Sequence, residues 1–292
     1  MSPIIGQFGP RSIFHNPKGV KVSDLLITSR ENPAIKLASA VRDGRDRDRI
    51  FIEGLRLSEE AIDANLRIET VIFVQDQLLK TRGNKLLDRL RSTNAKIIET
   101  TSRILEGISD TKNPQGIVLV ARRPVDQTLS DISTANKPPL LAILHKVGNP
   151  TNTGAILRTA EAAGVDAVLA TEGTADIFSP KSLRASMGSA FRLRVLQKLS
   201  FEQAIEECRS RGLAVIGTAP GADLSYTQVD WTNPTAIVLG SEAFGLERDE
   251  LNQLDRTVTI PMNPPVESLN VAATAAIIFF EAARQIRGIY RC

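Results

Sequence analysis

Residues 140–160 read LLAILHKVGNPTNTGAILRTA. Leu140 to Leu144 form a short, unbroken apolar run, the pattern of a strand covered on both faces in a parallel sheet. A polar loop with Asn149, Asn152 and Gly154 follows. Ile156, Leu157 and Ala160 then mark the apolar face of a helix, with Asn152 near its N-cap and Gly154 permitting close approach. Strand, loop and helix in that order is a building unit of α/β sheets. The unit repeats downstream, with short apolar strands expected at about 140–146, 166–170, 214–218, 235–240 and 257–260. Helices are expected between and after them at 153–163, 180–187, 201–210 and 268–287.

Upstream, a second and smaller α/β pattern precedes a stretch rich in Ser, Thr, Asp, Asn and Pro. Asn32-Pro33 gives a cap residue with proline at the first helical position, and Ile35, Leu37, Ala38 and Val41 lie mostly on one face. Strands are expected at 50–52, 70–74, 95–98 and 116–120, and helices at 57–64 and 78–90. The chain therefore divides into a loose arm (1–22), a first unit (23–122), a linker (123–138) and a second unit (139–292).

The 292 residues, 42% of them hydrophobic, suffice for two ordinary domains with real cores. The longest apolar stretch of note, Val271 to Phe280, is about half of a membrane span. The first residues lack the pattern of a secretory signal. Cys208 and Cys292 offer neither a disulfide framework nor a metal spacing, so a cytoplasmic setting and no metal are expected. Neither His15 nor His145 needs a catalytic role. The net charge of +3 is unevenly spread. The first 125 residues hold 21 Lys and Arg against 15 Asp and Glu, and the rest 15 against 18. That distribution suits a polyanion contact in the front half, and ordinary surface composition accounts for it equally well.

Two further segments repeat the grammar of residues 140–160. Ile237-Val-Leu-Gly-Ser-Glu242-Ala-Phe-Gly245 runs from a strand into a turn at Gly240, placing Glu242 at a strand's carboxyl end, where open α/β sheets bind ligands. Ile260-Pro-Met-Asn-Pro-Pro-Val-Glu-Ser268-Leu-Asn270 leads from a strand through a proline-stiffened loop to the last helix, with Ser268 as a plausible N-cap. A well-capped buried helix accounts for most of that segment but leaves Asn270, a polar residue in an apolar setting, unexplained. No Gly-x-Gly-x-x-Gly follows an early strand, which counts against a dinucleotide-binding or ordinary Rossmann methyltransferase fold.

Together, Asn152…Arg158, Gly240-Ser-Glu242…Gly245 and Ile260-Pro-Met…Ser268-Leu-Asn270 resemble the three motifs of the SpoU/TrmH family of RNA 2′-O-ribose methyltransferases, in the SPOUT superfamily. The likeness covers about residues 139–290. One departure is Asn263-Pro264-Pro265, where the family often carries Gly. The front unit, from Ile27 through Phe51-Ile-Glu-Gly54, is similar to the L30e-like substrate-binding domain often fused ahead of it.

The resemblance implies an α/β protein: a parallel-sheet SPOUT catalytic domain with a deep trefoil knot, preceded by a smaller L30e-like domain, and usually a homodimer. It implies S-adenosylmethionine as cofactor, held mainly by backbone near Thr218, Gly240, Ile260, Met262 and Leu269. Arg158 would be the family's proposed proton acceptor or activator, or would act electrostatically by binding the adjacent phosphate and stabilising a developing alkoxide; Asn152 would orient it or the ribose, and Glu242, Ser268 and Asn270 would hold the hydrogen-bond geometry. Arg45, Arg49, Lys181, Arg184 and Arg192 are the candidate RNA contacts. With aromatics at 4%, recognition of RNA by shape and backbone is expected over stacking on several rings. Ribosomal RNA is favoured as substrate, with transfer RNA or a non-catalytic RNA-binding role as the alternatives.

Overall fold

The computed structural model describes residues 26–78, 81–125, 127–129, 132 and 137–289. The arm expected at 1–22 lies outside these, as does part of the expected linker.

In the front unit Asn32 caps α1 (Pro33–Arg42) through its side chain, with proline in the first turn. There follow β1 (Arg49–Glu53), α2 (Leu55–Asp63), β2 (Ile68–Phe73), α3 (Thr81–Arg91), β3 (Lys96–Glu99), α4 (Ser102–Ile108) and β4 (Ile117–Arg122). The four strands form one sheet in the order β1-β4-β2-β3, with β4 antiparallel to both neighbours and β2 parallel to β3. The seven-residue helix α4 falls in a stretch where the sequence reading placed no element.

The second unit continues with β5 (Leu140–Leu144), α5 (Pro150–Ala163), β6 (Ala167–Thr171), α6 (Pro180–Ser186), α7 (Ser189–Arg192), β7 (Arg194–Leu199), α8 (Phe201–Arg209), β8 (Ala214–Thr218), β9 (Leu224–Ser225), β10 (Thr235–Leu239), α9 (Arg248–Leu251), β11 (Arg256–Thr259) and α10 (Val271–Ile289). Its seven strands are all parallel, in the order β7-β6-β5-β10-β8-β11-β9. The central strands β5, β6 and β10 are buried along their whole length, which is why their sequences are unbroken apolar runs. Along β5 the side chains alternate. Leu140, Ala142 and Leu144 face a core built with α5 and α10, and Leu141 and Ile143 face one built with α8. The edge strand β7 was not anticipated. Its sequence, RVLQKL, is only partly buried, so it lacks the apolar run that reveals the central strands.

Two helix starts differ from the sequence reading. The N-cap of α5 is Asn149, whose side chain accepts from the Thr151 N–H, so Asn152 lies inside the first turn. The last helix begins at Val271, with Asn270 at its start accepting from the Ala272 N–H. Ser268 was expected there, but it lies in the loop three residues before the helix.

The two units share a core that runs from β1, α2 and α3 through Leu183 of α6 to α5 and α10. Among the described residues no helix is long and apolar enough to cross a membrane, and no group of three or more His, Cys, Asp or Glu residues has the arrangement to hold a metal ion.

Candidate active site

The carboxyl ends of β5, β8, β10 and β11 open onto a cavity of about 690 Å³, within the size range of small-molecule sites. Thr218, Gly240, Ile260, Met262 and Leu269 all line it, as do Asn152, Glu242, Ser268 and Asn270. Val258, Ile278 and Ile260 supply apolar wall, while Thr218, Ser241 and Ser268 supply polar groups at intervals. This mixture suits an adenosine with an attached amino acid.

At the mouth the three sequence segments are joined by hydrogen bonds. Glu242 Oε1 accepts from Asn152 Nδ2 at 2.9 Å and from the Asn149 N–H at 3.1 Å. Its Oε2 accepts from the Gly148 N–H at 3.0 Å. Asn270 Nδ2 donates to Asn152 Oδ1 at 3.1 Å, while its own Oδ1 takes the Ala272 N–H at 2.9 Å. Both ends of the Asn152 amide are thereby specified, which settles which way round it lies. Partial burial works against the charge on Glu242. The Asn152 amide and the neighbouring backbone N–H groups outweigh it and hold the carboxyl below its ordinary range. Asn149 and Gly148 were not singled out as site residues in the sequence; the signal available was only their place at the strand-to-helix loop.

Gly240 is needed for a steric reason. A Cβ there would sit 2.4 Å from the backbone of Gly245, because residues 241–245 close a tight loop through paired Ser241 and Gly245 backbone hydrogen bonds of 3.0 Å. Gly240→Ala is therefore expected to displace Glu242 and lower whatever activity the site supports by roughly 10²-fold, the cost of a misplacement on the order of 1 Å. A circular dichroism spectrum matching the parent protein, alongside the activity assay, checks that the loss is local. Gly154 permits close approach as expected, but the neighbour is α6, since a Cβ would meet Ser182 O at 2.3 Å.

A second cluster ties the end of β5 to Glu250 of α9, just beyond the loop that carries Glu242. His145, at the end of β5, is 2% exposed. Its Nε2 lies 2.7 Å from Glu250 Oε1 and its Nδ1 lies 3.0 Å from Thr171 Oγ1. Lys146 Nζ donates to the same Glu250 oxygen at 2.7 Å. Burial disfavours the Glu250 charge, yet Lys146, the Glu247 N–H and His145 together draw its pKa down from 4.5 to about 2. A depressed carboxylate contributes stability that is complete above its unfolded value and is lost as pH falls through its folded value. The Glu250 contribution is thus expected to disappear between 4.5 and about 2. Acid unfolding of Glu250→Gln should show a smaller fall across that window than the parent protein.

Arg158 is placed differently. It is exposed on α5 and is not among the residues lining the cavity. Six residues separate it from Asn152, which on a helix means about 9 Å along the axis and roughly 120° round it. Of the basic residues read as RNA contacts, Lys181 is exposed and Arg45 is largely exposed beside Asp43. Arg49 is engaged by Asp46 and Glu69, each at 2.7 Å. Arg184 and Arg192 bridge the two units. Arg184 pairs with Asp110 at 2.6 Å. Arg192 holds Glu161 of α5 at 2.6 Å and also binds Glu60 of α2.

An open parallel sheet with a cavity of this size at its carboxyl edge, rimmed by a fixed carboxylate and two amides, is the frame of a small-molecule binding site. The SpoU rRNA methylase family profile matches residues 139–280, and the MRM3-like substrate binding domain matches residues 32–119. The 23S rRNA (guanosine(2553)-2′-O)-methyltransferase RlmP of Bacillus subtilis is 30% identical over 257 residues, 87% of this chain and 97% of that protein. An uncharacterized tRNA/rRNA methyltransferase of Synechocystis is 32% identical over 89% of this chain and 93% of its own length. The SpoU methyltransferase AviRb of Streptomyces viridochromogenes, solved in complex with AdoMet, superposes with a TM-score of 0.78 at 27% identity, covering 87% of this chain and 98% of that one. The chain belongs to the SpoU rRNA methylase family and is an S-adenosylmethionine-dependent RNA methyltransferase.

Proposed function

We propose that the group methylated is a ribose 2′-hydroxyl of 23S ribosomal RNA. The observation that carries the reading is the hydrogen-bonded line Glu242–Asn152–Asn270, which ties all three motif segments together at the mouth of the cavity. Thr218, Gly240, Ile260, Met262 and Leu269 would hold S-adenosylmethionine, which supplies an already activated methyl group on a sulfonium. The remaining work falls to the chain: aligning the ribose oxygen with the methyl carbon and easing loss of the hydroxyl proton. The role of Arg158 on this reading is electrostatic, gripping the adjacent phosphate and stabilising the developing alkoxide. Asn152 orients the ribose, and Ser268 and Asn270 complete the wall. The curated relatives named for 23S ribosomal RNA support that substrate over transfer RNA.

On this reading residues 23–122 bind substrate RNA, residues 139–292 catalyse, the enzyme works in the cytoplasm as a homodimer, and the catalytic domain carries a deep trefoil knot toward its C-terminus. Because Arg158 does not line its own cavity, the homodimer gives it a destination: the cavity of the second copy.

The test uses labelled S-adenosylmethionine with separate unmodified ribosomal and transfer RNA pools. The expected result is label in ribosomal RNA, resistant to alkali as a 2′-O-methylated dinucleotide and absent with Arg158→Ala. Label confined to transfer RNA, or released as a methylated base, refutes the proposal.

A further inference from the structure

Phe244 is 83% exposed, yet it is not on a loose loop. Its N–H donates to Ser241 Oγ at 3.2 Å, and the paired Ser241 and Gly245 hydrogen bonds close the loop on either side of it. Gly245 takes a φ of +65° to make that closure. The ring borders the cofactor-sized cavity and also a smaller neighbouring cavity lined by Lys146, Gly148 and Glu247. It stands two residues from Glu242, whose carboxylate fixes Asn152. Among the described residues most other aromatics lie inside: Trp231, Phe51 and Phe279 are fully buried, and Phe73, Phe178 and Phe201 nearly so. Among the described residues the other strongly exposed large aromatic is Phe280, on α10.

The backbone that carries this solvent-facing ring is fixed at the mouth of the cavity, a position from which a ring can meet an incoming substrate. Sequence-specific RNA recognition mostly targets unpaired nucleotides, whose bases are splayed out and stacked on aromatic side chains. An unstacked base regains much of the lost energy on an aromatic face, and such a platform tolerates any base. We propose that Phe244 is that platform: the target base stacks on its ring while the ribose turns toward Asn152 and the cavity. This deepens the ribose-methylation reading and rests on it.

The experiment compares Phe244→Ala, Phe244→Leu and Phe244→Trp with the parent, using 23S ribosomal RNA transcribed in vitro and hence unmodified. Expected is a roughly 10- to 100-fold rise in KM for RNA in the Ala and Leu variants, the range of one lost base–aromatic stack. S-adenosylmethionine affinity by calorimetry should be unchanged, and the Trp variant should have near-parental KM. The indole of the Trp variant should also be quenched on adding RNA, against the fully buried Trp231 as a constant background. The proposal is overturned if the Leu variant behaves as the parent, since an apolar contact would then suffice, or if the changes fall on cofactor affinity or on sedimentation as a dimer. Absence of methylation by the parent protein under the same conditions would instead sink the ribose-methylation reading itself.

Discussion

Glu242→Ala is expected to reduce methyl transfer by 10²-fold or more, on the order of magnitude seen when a catalytic frame is misplaced by about 1 Å, while leaving most of the fold intact. The reason is that one side chain does three jobs. Its carboxylate receives the N–H groups of Gly148 and Asn149 and the amide of Asn152. Without it, three donors at the start of α5 lose their acceptor, and Asn152 is held only by Asn270. Glu242→Gln should fall between the two, because all three partners are donors. A Gln amide meets two of them with its oxygen and turns its own donor toward the third. The ordering parent, Gln, Ala in kcat, with the thermal midpoint moving far less, is the outcome that supports a local frame. Equal loss in both variants would mean that charge, and not hydrogen-bond geometry, is what the site requires. The depressed pKa of Glu242 gives a further check. The carboxylate remains ionised below the ordinary 4.5, so no acid limb in kcat between 5 and 7 should trace to it. That limb should appear unchanged in the Gln variant if another group causes it.

How much of this was visible in the sequence depends on where a residue's partners lie. The central strands β5, β6 and β10 were legible because a strand buried on both faces has no polar positions to interrupt it. Strand β7, at the sheet's edge, carries Arg, Gln and Lys and gave no such run. Asn270 stood out as a polar residue that a capped buried helix left unexplained, and the structure gives it two partners at once: the Ala272 N–H as a cap and Asn152 as a site contact. Ser268 was read as the cap, but Asn caps a helix as well as Ser, and it is Asn270 that accepts from the Ala272 N–H where the helix begins. The arginines show the opposite limit. Arg184 and Arg192 sit on a basic, exposed-looking stretch, and their carboxylate partners Asp110 and Glu60 are 74 and 132 positions away in the chain. A sequence window cannot see such partners. The resulting clamp ties the front unit to α5, the helix that carries both Asn152 and Arg158.

The placement of Arg158 leads to the second large effect. Spacing on α5 sets its side chain about 120° round from Asn152, and it does not line the cavity that Asn152 lines. In the homodimer proposed above, a two-fold interface sets residue i of one copy against residue j of the other and the reverse, so an arginine that does not line its own cavity can serve the other copy's. Arg158→Ala and Glu242→Ala are each expected to be nearly inactive as pure proteins. Mixed, unfolded together and refolded, they form heterodimers in which one site is built from the intact Glu242 of one chain and the intact Arg158 of its partner. The opposite site carries both substitutions. With random pairing roughly half the dimers are mixed and each has one working site, so about a quarter of parental activity should return. If Arg158 instead acts within its own chain, every site in the mixture lacks one residue and the activity stays at the level of the pure variants. The same mixture made from Asn152→Ala and Glu242→Ala is the control. Those two residues are bonded to each other within one chain, so no pairing restores an intact site, and recovery there would show that the assay reports refolding and not complementation.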